Sequence, residues 1–253
     1  YLDIEQRLVT VLKPASSHDA NDERSPQDKP RDIKKTVLKK GLKVLTREDP
    51  SFPLVSIHLA LKGGLLSEPD GLNGIAQMSS EVWVKGTKSY SSDQIEEVTE
   101  SLGIDLSSFS GRNSIGLSMS LLSDDIDIAL NLLEEIILKP TFPQDVIDRK
   151  KKDFLNNIKL RDENISALSM YTLRQSLFKG HPYQWDNLGS RGSIDRIKQK
   201  DIKKYYRDHL SASNMVISVF GDINEADVLK RLEKLSSKLP DHRVNIPTPT
   251  VEP

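Results

Sequence analysis

Apolar positions along this chain change their period several times, and each change marks an element. Between residues 54 and 61, Val55, Ile57, Leu59 and Leu61 alternate with smaller or polar neighbours, the period of two that a half-buried strand requires. Two shorter runs, 36–39 and 43–46, flank Lys40-Gly41 and predict a hairpin. Residues 104–109 and 114–121 alternate again around Gly111-Arg112-Asn113, a second hairpin, and 215–220 add a last strand. Helical spacing governs 73–85, where Ile75, Met78 and Val82 recur before Gly86. A helix over 92–102 takes Ser92 as its cap and Gly103 just past its end. Residues 124–138 form an amphipathic helix opened by an Asp cap and ended before Lys139-Pro140. Further helices are expected over 143–161 and 165–178, one or two over 194–210, and a last one over 225–239.

The resulting order is βββ-αα-ββ-αααα-β-α. Strands joined by hairpins, with helices in blocks, predict an α+β two-layer sandwich: a mainly antiparallel sheet with helices packed on one face. Prolines mark the ends of this body. The stretch 14–32 is rich in Ser, Asp, Asn and Pro without apolar periodicity and reads as a linker. The tail 240–253 reads as an extended Pro-rich connector. Ahead of the first linker, Arg7-Leu8-Val9-Thr10-Val11-Leu12 is a strand with no partner nearby. Residues 1–13 are therefore expected to end a preceding domain, and 33–239 to form one body. The chain opens at Tyr1 without a methionine, in keeping with a fragment of something longer.

Composition narrows the chemistry. With 36 basic and 37 acidic residues the formal charge is −1, so the basic surplus of a nucleic-acid binder is missing. No cysteine occurs, which excludes a disulfide scaffold, a thiolate zinc cluster, an iron–sulfur centre and a cysteine nucleophile. No membrane span is expected: the longest greasy segment, 126–138, carries Asp127, Glu134 and Glu135. No strand-to-helix turn reads G-x-G-x-x-G, so dinucleotide binding has no support.

The residue clusters argue mostly for ordinary structure. Histidines stand at 18, 58, 181, 209 and 242, none spaced from another as H-x3-H or with a glutamate as H-E-x-x-H or H-x-x-E-H. His58 falls opposite the apolar set of its strand, and His209 closes a helix, where a cation suits the dipole. The acidic pairs Glu96-Glu97, Asp124-Asp125 and Glu134-Glu135 are neighbours on helices and point apart. The run Arg149-Lys150-Lys151-Lys152, diluted by Asp148 and Asp153, reads as a solvated helix face. The residues taken by themselves disclose no active site.

A series of short motifs nevertheless recurs in a telling order: Lys40-Gly41-Leu42-Lys43-Val44, Gly63-Gly64 with Glu68, Gly71 to Ala76, and Lys85-Gly86-Thr87. Ser101-Leu102-Gly103, Lys139-Pro140-Thr141-Phe142-Pro143, His181-Pro182-Tyr183 and Phe220-Gly221-Asp222 follow. In this sequence and at these intervals the body resembles the M16 family of peptidases (pitrilysin and mitochondrial processing peptidase) over nearly its whole length. The resemblance implies the M16/LuxS-like form of the α+β sandwich.

In active members the first helix carries the inverted zinc motif H-x-x-E-H, where two histidines one turn apart chelate the metal and the glutamate activates its water. Aligned here, those positions are Gln77-Met78-Ser79-Ser80-Glu81. Gln77 and Glu81 replace the two histidines, Ser80 replaces the base, and the later glutamate ligand falls at about Asn157, with Lys150 at an acidic position ahead of it. The resemblance thus implies no catalytic residue and no metal in this segment, with zinc expected in a missing first half of the parent. Many M16 chains are tandem duplications that close around an unfolded peptide. The hairpin Gly111 to Gly116 resembles that of inactive second halves, 1–13 the end of the first half, and the tail the link to a missing subdomain. The implied role is a non-catalytic subdomain helping to form the peptide chamber of a zinc metallopeptidase. Its partners are then the active M16 half and an unfolded peptide substrate, without nucleic acid or membrane span. The likeness to bacterial tandem proteins points toward a periplasm or cell envelope. Two alternatives stay open: a structural subunit resembling the core proteins of the bc1 complex, and an autonomous peptide-binding module.

Overall fold

The computed structural model describes residues 32–247. The unpartnered strand 7–12, His18, almost all of the linker 14–32 and the last six residues of the tail lie outside them. The described residues form a six-stranded sheet in the order β1 (Lys34–Val37), β2 (Lys43–Glu48), β6 (Met215–Gly221), β3 (Leu54–Lys62), β5 (Ser114–Leu122), β4 (Asp105–Ser110). The helices are α1 (Ile75–Trp83), α2 (Ser92–Ser101), α3 (Ile126–Leu138), α4 (Gln144–Glu163), α5 (Ile165–Leu177), α6 (Arg191–Arg196), α7 (Gln199–His209) and α8 (Glu225–Lys238).

The α+β two-layer arrangement expected from the order of elements is the one observed. In β3, Val55, Ile57, Leu59 and Leu61 are buried under the helices while His58 is exposed on the other side. The same alternation buries Leu117, Met119 and Leu121 in β5 and Met215, Ile217 and Val219 in β6. Both hairpins form, β1 with β2 and β4 with β5. One pairing escapes the hairpin logic: β6 runs parallel to β2 and antiparallel to β3, entering between two strands that adjoin in sequence.

The helical layer is tied together through large side chains. Trp83 of α1 donates its indole N–H to the Ile136 carbonyl of α3 at 2.8 Å, and Tyr206 of α7 donates to Ile137 O at 2.6 Å. Their rings meet at 5.1 Å, and Phe142 meets Tyr206 at 5.3 Å.

Several local expectations shift. Ser91, not Ser92, caps α2: its hydroxyl accepts from Gln94 N while Gln94 reaches back to Ser91 N, a reciprocal capping box. The Asp cap expected for α3 is replaced by a 3-10 turn, Ser123–Asp125, with no side-chain cap. Gly86 does not end α1, which closes at Val84. A Cβ there would sit 2.8 Å from Pro143 Cγ and 2.9 Å from Thr141 Oγ1, so glycine lets the 139–143 segment pack against it. Of the one or two helices expected over 194–210, two form, α6 and α7, the first starting earlier at Arg191. The tail does not leave the body at once, because Pro240 O accepts from Ala212 N and His242 O from the Ser211 hydroxyl.

Candidate functional site

α1 starts at a backbone turn that the side chains around it enforce. Gly74 adopts a left-handed conformation with φ +95°, where a Cβ would meet Ile194 Cδ1 at 2.8 Å and Leu188 O at 3.0 Å. Glu68 supplies the missing cap. Its carboxyl oxygens accept from Gly74 N and Ala76 N, all at 3.0 Å, satisfying amides that have no helical partner. Burial pushes the Glu68 carboxyl up to about 8, against the pull of those backbone bonds and of Asn73.

Seven of the nine residues of α1 are buried. The remaining face belongs to Gln77 and Glu81, one turn apart and both half-buried. Gln77 Nε2 donates to Glu81 Oε1 at 2.8 Å. Glu81 Oε2 lies 3.0 Å from the ammonium of Lys150 on α4, which also faces Asp153 at 3.9 Å. Ser80 is turned away from this group. It is buried, and its hydroxyl donates to the Gln77 carbonyl at 2.9 Å. Asn157 lies seven residues beyond Lys150, almost two turns on the same side of α4, and is exposed.

The sequence positions of Gln77, Glu81 and Lys150 are thus brought together, with Asn157 further along the helix and Ser80 on another side. This corrects the reading of 149–152 as a solvated run. Lys150 follows Val146 by four residues and precedes Phe154 by four, which places it on the stripe that α4 buries through Val146, Ile147, Phe154 and Ile158. That register was the signal that singled it out from its neighbours. Lys151 also turns back to the body, donating to Asp195 O at 3.1 Å.

The donor set does not suit zinc. Two neutral carboxamides, a hydroxyl committed to a backbone carbonyl and a single carboxylate already facing an ammonium offer neither the imidazoles nor the negative charge that zinc sites use. Among the described residues, no group of three His, Cys, Asp or Glu is disposed to hold a metal ion. The histidines among the described residues are occupied elsewhere. His58 contacts the Ser56 hydroxyl at 3.1 Å on the exposed sheet face, and His181 Nδ1 accepts from Tyr183 N at 3.0 Å. His209 does close α7, but as a buried ring: its Nδ1 is 2.7 Å from Tyr205 O, and burial lowers its pKa. The dipole-matched cation expected at this position is therefore disfavoured. No helix among the described residues is long and apolar enough to cross a membrane.

Comparison with known proteins places this geometry. The family model described as Insulinase (Peptidase family M16) matches residues 43–188, and that described as Peptidase M16 inactive domain matches residues 196–253. An uncharacterized zinc protease of Rickettsia bellii is 28% identical over 202 residues, covering 80% of this chain and 49% of that protein. A protein of Helicobacter pylori called a non-peptidase homolog is also 28% identical, over 198 residues, 78% of this chain and 46% of its own length. The crystal structure of a peptidase M16 inactive domain from Pseudomonas fluorescens superposes with a TM-score of 0.81 at 25% identity, covering 87% of this chain and 54% of that one. The chain spans about half the length of the relatives it matches. Two relatives equally similar to it carry opposite names for activity, so the side chains at the site decide, not overall likeness.

Proposed function

Since the chain belongs to peptidase family M16, we propose that it is a non-catalytic unit of that fold, walling a peptide chamber whose zinc lies in a companion half. One observation carries this reading. Where the family's metal motif aligns, Glu81 is spent on Gln77 and on the ammonium of Lys150, 3.0 Å away. An ammonium beside the lone carboxylate repels a divalent cation instead of helping to bind it. The base position holds Ser80, whose hydroxyl faces a backbone carbonyl, so no group stands ready to activate water.

What the fold retains is a shape suited to peptides. β4 is an edge strand of the described sheet, and its outward backbone groups ahead of Ser110, whose carbonyl accepts from Asn187 Nδ2 at 3.0 Å, would take an extended chain by strand addition. α1 lies beside it, so a peptide on that edge passes the Gln77–Glu81 face without being cut. The test is metal analysis together with a peptidase assay on the purified chain. The expected result is no stoichiometric zinc, no cleavage, and no change in either on Glu81→Ala. One tightly held zinc, lost on Glu81→Ala, would overturn the reading. In the parent polypeptide or its partner subunit, an H-x-x-E-H helix is expected.

A further inference from the structure

α4 buries a stripe through Val146, Ile147, Phe154 and Ile158, and Lys150 lies within it, four residues from Val146 and four from Phe154. An ammonium in such a stripe costs desolvation that an apolar side chain would avoid. Its neighbours in the basic run turn elsewhere, Arg149 to Asp145 at 3.3 Å and Lys151 to Asp195 O at 3.1 Å. Lys150 alone is aimed at α1.

The surroundings of that ammonium are those of a held cation. Glu81 Oε2 approaches from α1 at 3.0 Å, and Asp153 Oδ2 stands at 3.9 Å on α4 itself. Gln77 Nε2 donates to the other oxygen of Glu81 at 2.8 Å and fixes the carboxylate. Both partners of the Glu81–Lys150 pair are less than a third exposed, whereas the surface pair Lys159–Glu163 is about 60% exposed on each side. Glu81 is also the only charged residue of α1. Without the ammonium, two carboxylates from two helices would face each other uncompensated.

Resting on the non-catalytic reading above, we propose that Lys150 is the substitute for the lost metal. Its ammonium sits among the aligned motif positions as a built-in cation, clasps α1 to α4, and keeps the face closed to divalent ions. Being tethered to α4, it holds its place at a high effective concentration that a free ion does not match. The carboxylates that grip it, Glu81 and Asp153, keep a capacity for a hard cation that the ammonium masks. Oxygen donors without imidazole or thiolate suit Mn2+ better than zinc.

Thermal unfolding of the whole chain, with and without Mn2+, reads the proposal. Lys150→Glu exchanges the ammonium for a third carboxylate and is expected to lower the midpoint by roughly 4–8 °C in metal-free buffer. Mn2+ at about 10 mM is then expected to restore half of that loss or more, because an ion bound only to the native state stabilises it. Lys150→Gln is expected to respond in the same direction with a smaller shift, and it serves if Lys150→Glu fails to fold. The wild type and Lys150→Arg, which keep a cation in place, are expected to move by less than about 1 °C on adding Mn2+. Electron paramagnetic resonance should show immobilised Mn2+ in the opened variants and none in these two. A midpoint that Mn2+ leaves unmoved in both opened variants overturns the proposal. So does an equal rise in the wild type, or a rise that survives Glu81→Gln in the Lys150→Glu background. Each of these results can occur while the wild type holds no zinc and cleaves no peptide, so the two readings fail separately.

Discussion

α1 and α5 are both short helices of one layer, yet they are held by opposite means. α1 buries seven of nine residues and anchors through Trp83, whose N–H reaches α3 and whose ring meets α7. α5 buries none and hangs on Arg161, Arg174, Asp186 and Tyr171. Apolar burial is non-directional and large, about 25 cal/mol per Å². The ion pairs of α5, partly buried but no closer than 3.8 Å, contribute far less. The helix that holds the fold together and the helix that rests on it are therefore distinguishable by where each spends its apolar side chains.

Three measurements break or sharpen that contrast. The largest effect is expected at Trp83→Ala, which opens a cavity at the junction of α1, α3 and α7 and orphans the Ile136 carbonyl. Urea unfolding should lose ~3–5 kcal/mol, and a loss below about 1 kcal/mol would show that α1 is not the anchor.

The next concerns the cap of α1. Glu68 has an ordinary value of 4.5 and is pushed up to about 8 in the fold. Between those values the unfolded chain has lost the proton that the native state keeps, so the native state binds more protons and stability falls as pH rises. The drop is fully expressed above about pH 8 and is absent below about 4.5. It amounts to several kcal/mol at most, since a single pKa unit is worth about 1.4 kcal/mol. Unfolding midpoints from pH 5 to 8 should show this slope, and Glu68→Gln should flatten it. An identical slope in the variant would assign the pH dependence to other groups.

The smallest effect is expected at Leu177→Ala, on the exposed side of α5. Unfolding should shift by no more than about 0.5 kcal/mol. A loss of the size expected for a core leucine, ~2–5 kcal/mol, would mean that α5 belongs to the core after all.

Much of the architecture is legible along the chain because its strands and helices are amphipathic. Val55 to Leu61 alternate cleanly, and Ile75, Met78 and Val82 keep a helical stride, so elements fall within a residue or two of their observed bounds. Three things are not legible, each for a physical reason. The parallel pairing of β2 with β6 is non-local, and neither strand's pattern names its partner. Gly86 looks like a helix stop, but the space it leaves is for Pro143, which no local rule reveals. In α5 the apolar and polar sets both recur at helical spacing. Periodicity predicts the helix but not that Tyr171, Arg174 and Gln175 are the side turned inward. The site was half legible. Motif alignment located Gln77, Ser80, Glu81, Lys150 and Asn157, whereas the ion pair between Glu81 and Lys150 needed the crossing of two helices to appear.

The place of β6 has a consequence for how the chain comes into being. β2 and β3 adjoin in sequence but never touch as partners, because β6 lies between them. A nascent chain that has emerged only as far as α7 holds every strand of the described sheet but one, and the missing one is central. Two facing rows of unpaired backbone amides and carbonyls then remain open in the middle of the sheet. β6 is therefore the last strand of the described sheet to be made, and the middle of that sheet cannot close before it.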